Sequence, residues 1–223
     1  MLKIHNVSAR IAGITVLRGI ETEFQHGQLL AVVGRNGAGK TTLLRAIMGL
    51  LPLSSGSISI NGTDLTSVPG HRRTEFGIGY APEDRAMYPT FTVEENLRLP
   101  CEVLGLPEAE IKRRLERVLD VVPQLDPMLA RSGAALSGGQ GKMAALGRAL
   151  MAGTKLVLLD EPFQGLAPVL ANQYAESLRR LHQLDPALCI VVTESNRSLL
   201  RDLPDATLTL ERGELVEGDA LVH

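Results

Sequence analysis

Short apolar runs alternate with longer amphipathic stretches along the chain. Leu29-Leu30-Ala31-Val32-Val33, Leu156-Val157-Leu158-Leu159 and Leu188-Cys189-Ile190-Val191-Val192 are continuous apolar runs of strand length. Continuous rather than alternating hydrophobicity predicts strands covered on both faces, as in a parallel sheet. Ser57-Ile58-Ser59-Ile60 leads into Asn61-Gly62 and predicts a strand entering a tight turn. Near the end, Ala206 to Leu210 and Leu215-Val216 flank Glu211-Arg212-Gly213-Glu214 and predict a hairpin.

The helical patterns lie elsewhere. Thr42 to Met48 follows a glycine-rich stretch and predicts a helix. From about Thr92 to Ala152 the periodicity is helical and no strand stands out. Thr92 and Glu95 have the spacing of a capping box. Pro107 opens a helix with Ile111, Leu115, Val118, Leu119 and Val122 on one face. Pro168 opens another, with Leu170, Tyr174, Leu178 and Leu181 on one side. The chain therefore reads as one α/β domain over 1–223, with 1–91 and 153–223 as the core and 92–152 as an inserted helical lobe.

Three motifs carry chemistry. Gly34-Arg35-Asn36-Gly37-Ala38-Gly39-Lys40-Thr41, continued by Thr42, matches G-x-x-x-x-G-K-[ST] between a predicted strand and a predicted helix. Its glycines let successive N–H groups wrap phosphates, and the helix N-terminus adds its positive end. Lys40 is then expected to reach the β- and γ-phosphates of ATP, and Thr41 to bind Mg²⁺. A chance glycine turn would not need that strand–helix context. The run 156–159 ends in Asp160-Glu161, two carboxylates at a strand end. Asp160 is the candidate for the metal ion and Glu161 for the attacking water. Ser137-Gly138-Gly139-Gln140 opens a helix with a capping serine and bare glycines, a second anion site.

The run 188–192 turns polar at Thr193-Glu194-Ser195-Asn196. Ligands of open α/β sheets bind at the carboxyl ends of strands, so this polar end is a candidate site element.

GRNGAGKTT, LSGGQ and LVLLDEP, in that order, resemble the ATP-binding subunits of ABC transporters. The resemblance spans essentially the whole chain. It implies a P-loop ATPase core with a mostly parallel sheet, an N-terminal antiparallel β part and the inserted helical lobe. It also implies two such domains paired head to tail, each ATP lying between the Lys40 loop of one and the Ser137 loop of the other. Pro82-Glu83, Thr92-Val93-Glu94-Glu95-Asn96-Leu97 and Gly165-Leu166-Ala167-Pro168 are similar to importers of branched-chain amino acids, in particular to the second of their two ATPase subunits. Such subunits work with transmembrane permease subunits, so a heterodimer on the inner face of the cell membrane is expected, with a homodimer as the alternative.

By that resemblance several positions depart from the family. Glu83 stands where a glutamine usually touches Mg²⁺. Ile11, with Val16, stands where an aromatic ring usually stacks on adenine. Ala167 replaces an aspartate that couples the sites, and Gly141-Lys142-Met143 is an unusual continuation of the signature. Ser195 falls where a histidine usually contacts the γ-phosphate. The loop from Asp84 to Phe91, with Met87, Tyr88 and Phe91, is expected to form part of a groove for a permease helix.

Composition narrows the remaining alternatives. The 223 residues carry a formal net charge of −2, which gives no support to a nucleic-acid partner. Cys101 and Cys189 have no metal or redox spacing and read as free thiols. His5, His26, His71, His182 and His223 read as ordinary residues. MLKIHNVSAR has no apolar signal core and no run is long enough to span a bilayer, so a cytoplasmic protein on a membrane partner is expected. A non-transport ATPase of the superfamily would typically carry two such domains or long coiled coils, absent here. A subunit that binds ATP with little turnover is favoured by Ile11 and Ser195 and opposed by Lys40, Asp160 and Glu161. Urea, amide and other small-acid importers also fit the resemblance.

Overall fold

The computed structural model describes residues 1–84, 87–200 and 202–216. Arg85 and Ala86 of the expected permease loop, and His223, lie outside the described residues. β1 (Leu2–Ile11) and β2 (Ile14–Phe24) form an antiparallel hairpin. β3 (Leu29–Val33) begins a second sheet and runs into α1 (Lys40–Ile47). β4 (Leu53–Ile60) and β5 (Thr63–Asp64) return to the first sheet, whose order is β2-β1-β4-β5 and whose pairs are all antiparallel. Asn61 and Gly62 make the tight turn with φ of 49° and 79°.

A short helix, α2 (Gly70–Arg73), precedes β6 (Ile78–Ala81). Arg73 is buried and donates to the Ala46 and Ile47 carbonyls at the end of α1 and to those of Leu65 and Val68. It thereby adds donors to the carbonyl-rich end of the helix, where intrahelical N–H partners run out. The helical lobe follows as α3 (Val93–Val103), α4 (Glu108–Val121) and α5 (Gly138–Ala152). Both expected caps form, Thr92 with Glu95 and Ser137 with Gln140. The chain continues through β7 (Leu156–Asp160), α6 (Pro168–Leu184), β8 (Cys189–Glu194), β9 (Ala206–Glu211) and β10 (Glu214–Val216).

The second sheet has the order β10-β9-β3-β8-β7-β6 and is parallel apart from the terminal hairpin. Its side chains separate two apolar clusters with period two. Leu30, Val32, Leu158 and Val191 pack with α1 and the antiparallel sheet. Ala31, Val33, Leu159 and Val192 pack with the helices of the lobe and α6. Two-sided burial explains the continuous apolar runs. No described helix is long and apolar enough to cross a membrane.

Two elements differ from the sequence reading. β6 is only four residues long and carries Gly79, so its pattern does not stand out. A Cβ at Gly79 would lie 2.0 Å from the Ala149 carbonyl of α5, so glycine is what lets helix and strand approach. The expected strand ending at Val192 continues through Thr193 and Glu194, and both are fully buried.

Candidate functional site

The carboxyl ends of β3, β7 and β8 lie side by side, in register at Val33, Asp160, Thr193 and Glu194. The glycine loop leaves β3 and closes over this edge. Its first amide, Gly34 N–H, donates to the Glu194 carbonyl at 3.2 Å, and the Ala38 carbonyl accepts from Gly213 at 2.9 Å. A Cβ at Gly34 would lie 2.3 Å from the Leu210 carbonyl, and Gly39 has φ of 110°, so neither position tolerates a side chain. Gly39 is the N-cap of α1, makes no side-chain cap, and no acid occupies the first turn. The open N–H groups and positive helix end suit phosphate oxygens.

Lys40, 4% exposed, donates to the Gly34 carbonyl at 2.6 Å and the Arg35 carbonyl at 3.2 Å, and pairs with Glu161 Oε1 at 2.9 Å. Its three protons thus have three acceptors. Glu161 follows β7 in the left-handed region, at φ 46°. Its Oε2 accepts from the Ser195 hydroxyl at 3.0 Å and from the Ser195 amide at 3.3 Å. Of the three residues expected to be catalytic, Lys40 and Ser195 thus each contact Glu161, one at each carboxylate oxygen.

Asp160 accepts three hydroxyls. Thr193 reaches Oδ1 at 2.8 Å, Thr41 reaches Oδ1 at 3.1 Å and Tyr80 reaches Oδ2 at 3.2 Å. Burial raises its pKa above the usual aspartate value, and the three donors oppose that rise. Thr41 and Asp160 are thus adjacent, and exposed Glu83 lines the same cleft as Thr41, Lys40 and Glu161, about 300 Å³ in volume. No group of three His, Cys, Asp or Glu side chains among the described residues forms a closed metal cage. The Thr41 hydroxyl and the Asp160 and Glu83 carboxylates are hard oxygen donors of the kind Mg²⁺ takes alongside waters and substrate phosphates, so the donor set fits it.

Asn36, Gly37 and Val16 also line that cleft. Ile11 stands opposite Ile14 at the tip of the first hairpin, 45% exposed. A second cleft of about 560 Å³ joins Arg35 and the rest of the loop to Ser195 and Arg197. Ser137 and Gly138 are exposed at the tip of α5, with Gly139 and Gln140 half-buried behind them. The Ser137 group does not line the Lys40 cleft of its own chain.

Several contacting residues were not legible as site residues. Tyr80 and Thr193 buttress Asp160, and the Thr193 hydroxyl also accepts from the Glu161 amide at 3.1 Å. Lys142 donates to the Glu161 carbonyl at 2.6 Å. Asn196 Oδ1 accepts from the amide and the hydroxyl of Ser198. Glu194 points inward, and the amide of Phe163 donates to its Oε1 at 2.8 Å. The polar end of 188–192 signalled this group as a site element, and the structure adds that Thr193 and Glu194 are fully buried within the strand.

The sequence model of the ABC transporter family matches residues 17–164. The chain belongs to the ABC transporter family. It is an ATP-binding subunit and an ATPase of that family. The subunit is 33% identical over 96% of its length to a probable branched-chain amino acid transport ATP-binding protein, LivF, of Archaeoglobus fulgidus, and covers 90% of that protein. It is 34% identical over 95% of its length to the sulfate/thiosulfate import ATP-binding protein CysA of Synechocystis, of which it covers 58%. Among solved structures, an ATP-binding subunit of an ABC transporter superposes with a TM-score of 0.85 at 29% identity, over all of this subunit and 90% of that chain.

Proposed function

We propose that this subunit binds ATP with Mg²⁺ between its own Lys40 loop and the Ser137 loop of a second ATPase subunit, and that hydrolysis there powers import of a small solute. The observation that carries the reading is the Glu161 carboxylate, held between Lys40 and Ser195 at the mouth of the glycine loop. An incoming γ-phosphate competes with Glu161 for the Lys40 ammonium. Once Lys40 turns to the phosphate, Glu161 Oε1 is free to accept the proton of the attacking water. Thr41, Asp160 and Glu83 would hold Mg²⁺, whose charge neutralises the β- and γ-phosphate oxygens when it is bound. The Ser195 hydroxyl orients Glu161 and supplies one neutral donor where a cationic histidine would supply charge. Ile11 and Val16 offer apolar contact to adenine without stacking.

Branched-chain amino acids are the first candidate cargo. The near end-to-end match with LivF supports this, while CysA extends well beyond the matched region. The motif resemblance to the second ATPase subunit of such importers leads us to place this subunit in a heterodimer, with a homodimer as the alternative, seated on permease subunits at the inner face of the membrane. Exposed Tyr88 lines a groove of about 770 Å³, its ring lies 5.5 Å from that of exposed Phe91, and with half-buried Met87 nearby in the chain this apolar group suits a permease helix.

The test is ATP hydrolysis by the assembled complex with Glu161→Gln here and the equivalent change in the other ATPase subunit, one at a time. Loss with Glu161→Gln is expected. Full turnover in that variant would leave a subunit that binds ATP without hydrolysing it, the reading that Ser195 and Ile11 favour.

A further inference from the structure

We infer that Lys142 and Glu194 are positioning residues that clamp the turn carrying Glu161, and that Lys142 makes the signature helix α5 one arm of the clamp. The inference rests on the reading of Glu161 as the proton acceptor. Glu161 has φ of 46°, a region uncommon for a residue with a side chain and kept only when the surroundings enforce it. The turn Glu161-Pro162-Phe163 leaves β7 with two of its peptide groups held by ionisable side chains. Lys142 Nζ donates to the Glu161 carbonyl at 2.6 Å, a charge-assisted bond. Glu194 Oε1 accepts from the Phe163 amide at 2.8 Å.

Glu194 has no ordinary reason to be where it is. It is fully buried on β8, and among the described residues its Oε2 has no hydrogen-bond partner. A buried acid with an idle oxygen is costly, and valine or leucine would fill the same strand position better. What the carboxyl contributes is the position of one amide two residues beyond Glu161. Its main chain adds a second anchor, because the Glu194 carbonyl receives the first amide of the glycine loop. One residue therefore sets both the start of the phosphate loop and the turn bearing Glu161. The Phe163 ring, edge-on to Tyr174 with centroids 5.3 Å apart, fixes the far end of the turn.

Lys142 approaches from the other side. It lies in the first turns of α5, five positions after Ser137, within the unusual continuation Gly141-Lys142-Met143. Its reach to Glu161 ties the helix end expected to meet the second subunit's ATP to the carboxylate of this subunit's own site. A displacement of the α5 tip is thereby felt at Glu161 without passing through nucleotide. Releasing either arm lets the turn relax from its left-handed geometry and moves the carboxylate off its water.

The test is steady-state ATP hydrolysis by the assembled transporter, with Lys142→Met, Lys142→Arg, Glu194→Leu and Glu194→Gln compared with Glu161→Gln. Binding of a fluorescent ribose-labelled ATP analogue is measured on each. Lys142→Met and Glu194→Leu are expected to lower kcat about ten- to a hundredfold, the scale of a misplacement of about 1 Å, with KM and analogue binding within about twofold. Lys142→Arg and Glu194→Gln keep a donor and an acceptor in place and regain most of the turnover. The inference is overturned if the Met and Leu variants keep kcat, or if kcat and analogue binding fall together. If Glu194→Leu does not fold, the Lys142 pair decides alone. Full turnover in Glu161→Gln refutes the underlying reading. Loss there with full turnover in Lys142→Met refutes only the clamp.

Discussion

The Ser195 hydroxyl donates to Glu161 Oε2 at 3.0 Å, and the Ser195 amide points at the same oxygen from 3.3 Å. The main chain thus supplies a donor that substitution of the side chain leaves in place. Ser195→Ala should lower ATP turnover only about three- to tenfold, less than the full worth of a hydrogen bond to a charged group. Nucleotide affinity should change little, since Lys40 and the loop amides are untouched. Hydrolysis rates across ATP concentrations check this. A drop of a thousandfold or more, on the scale of losing a catalytic group, would mean that the hydroxyl itself takes part in the chemistry.

The Lys40–Glu161 pair is almost fully removed from water, at 4% and 6% side-chain exposure. Removing one partner of such a pair leaves an uncompensated buried charge and costs about 3 kcal/mol. Lys40→Met should therefore destabilise the nucleotide-free protein by about that amount as well as weaken ATP binding. Adding Glu161→Gln should restore about 0.5–3 kcal/mol, the usual range for coupled neighbours. Urea unfolding of the two single variants and the double variant gives this coupling directly. Strict additivity would show that the pair contributes nothing to the fold.

Legibility in the sequence followed how local each constraint was. The glycine loop, Asp160-Glu161, the Thr92–Glu95 capping box and the Ser137 cap could be read because each is encoded within a few consecutive residues. Thr193 and Glu194 read as the polar end of an apolar run and a candidate site element, with their burial hidden because polar residues normally end a buried strand. Here Asp160, the Glu161 amide and the Phe163 amide provide partners across the sheet, so the strand continues. In the sequence Lys142 stands out only as an unusual residue after the signature, since its acceptor is a carbonyl 19 positions away. Tyr80 sits on β6, a strand too short and too glycine-interrupted to register, although its hydroxyl supports Asp160.

Ile11 stands at the tip of the β1–β2 hairpin with 45% of its surface exposed, and Val16 lines the cleft beside the glycine loop. An aromatic ring at Ile11 adds a stacking face without displacing packed neighbours. Ile11→Tyr should tighten ATP binding about three- to tenfold, near the lower end of measured base–aromatic stacking. Titration with ATP and with a nucleoside-free triphosphate separates the adenine contribution. Unchanged ATP affinity would place adenine elsewhere.

Burial pushes the Glu194 carboxyl up from 4.5 to about 7, although the Phe163 amide favours its charged form. Lys142 and Lys40 also favour the charge, while Glu161 opposes it. The folded protein therefore holds this proton more tightly than the unfolded chain. The stability it contributes is fully present below about 4.5 and is lost as the pH rises through about 7, with a ceiling on the order of 3 kcal/mol. Glutamine resembles the protonated acid and cannot titrate. Glu194→Gln should leave the melting temperature nearly unchanged at about pH 5.5 and raise it relative to the parent by several degrees at about pH 8.5. Thermal unfolding without nucleotide across that interval measures the difference. A constant offset between the two proteins at every pH would show that Glu194 is already ionised throughout, with its charge balanced by the neighbouring lysines.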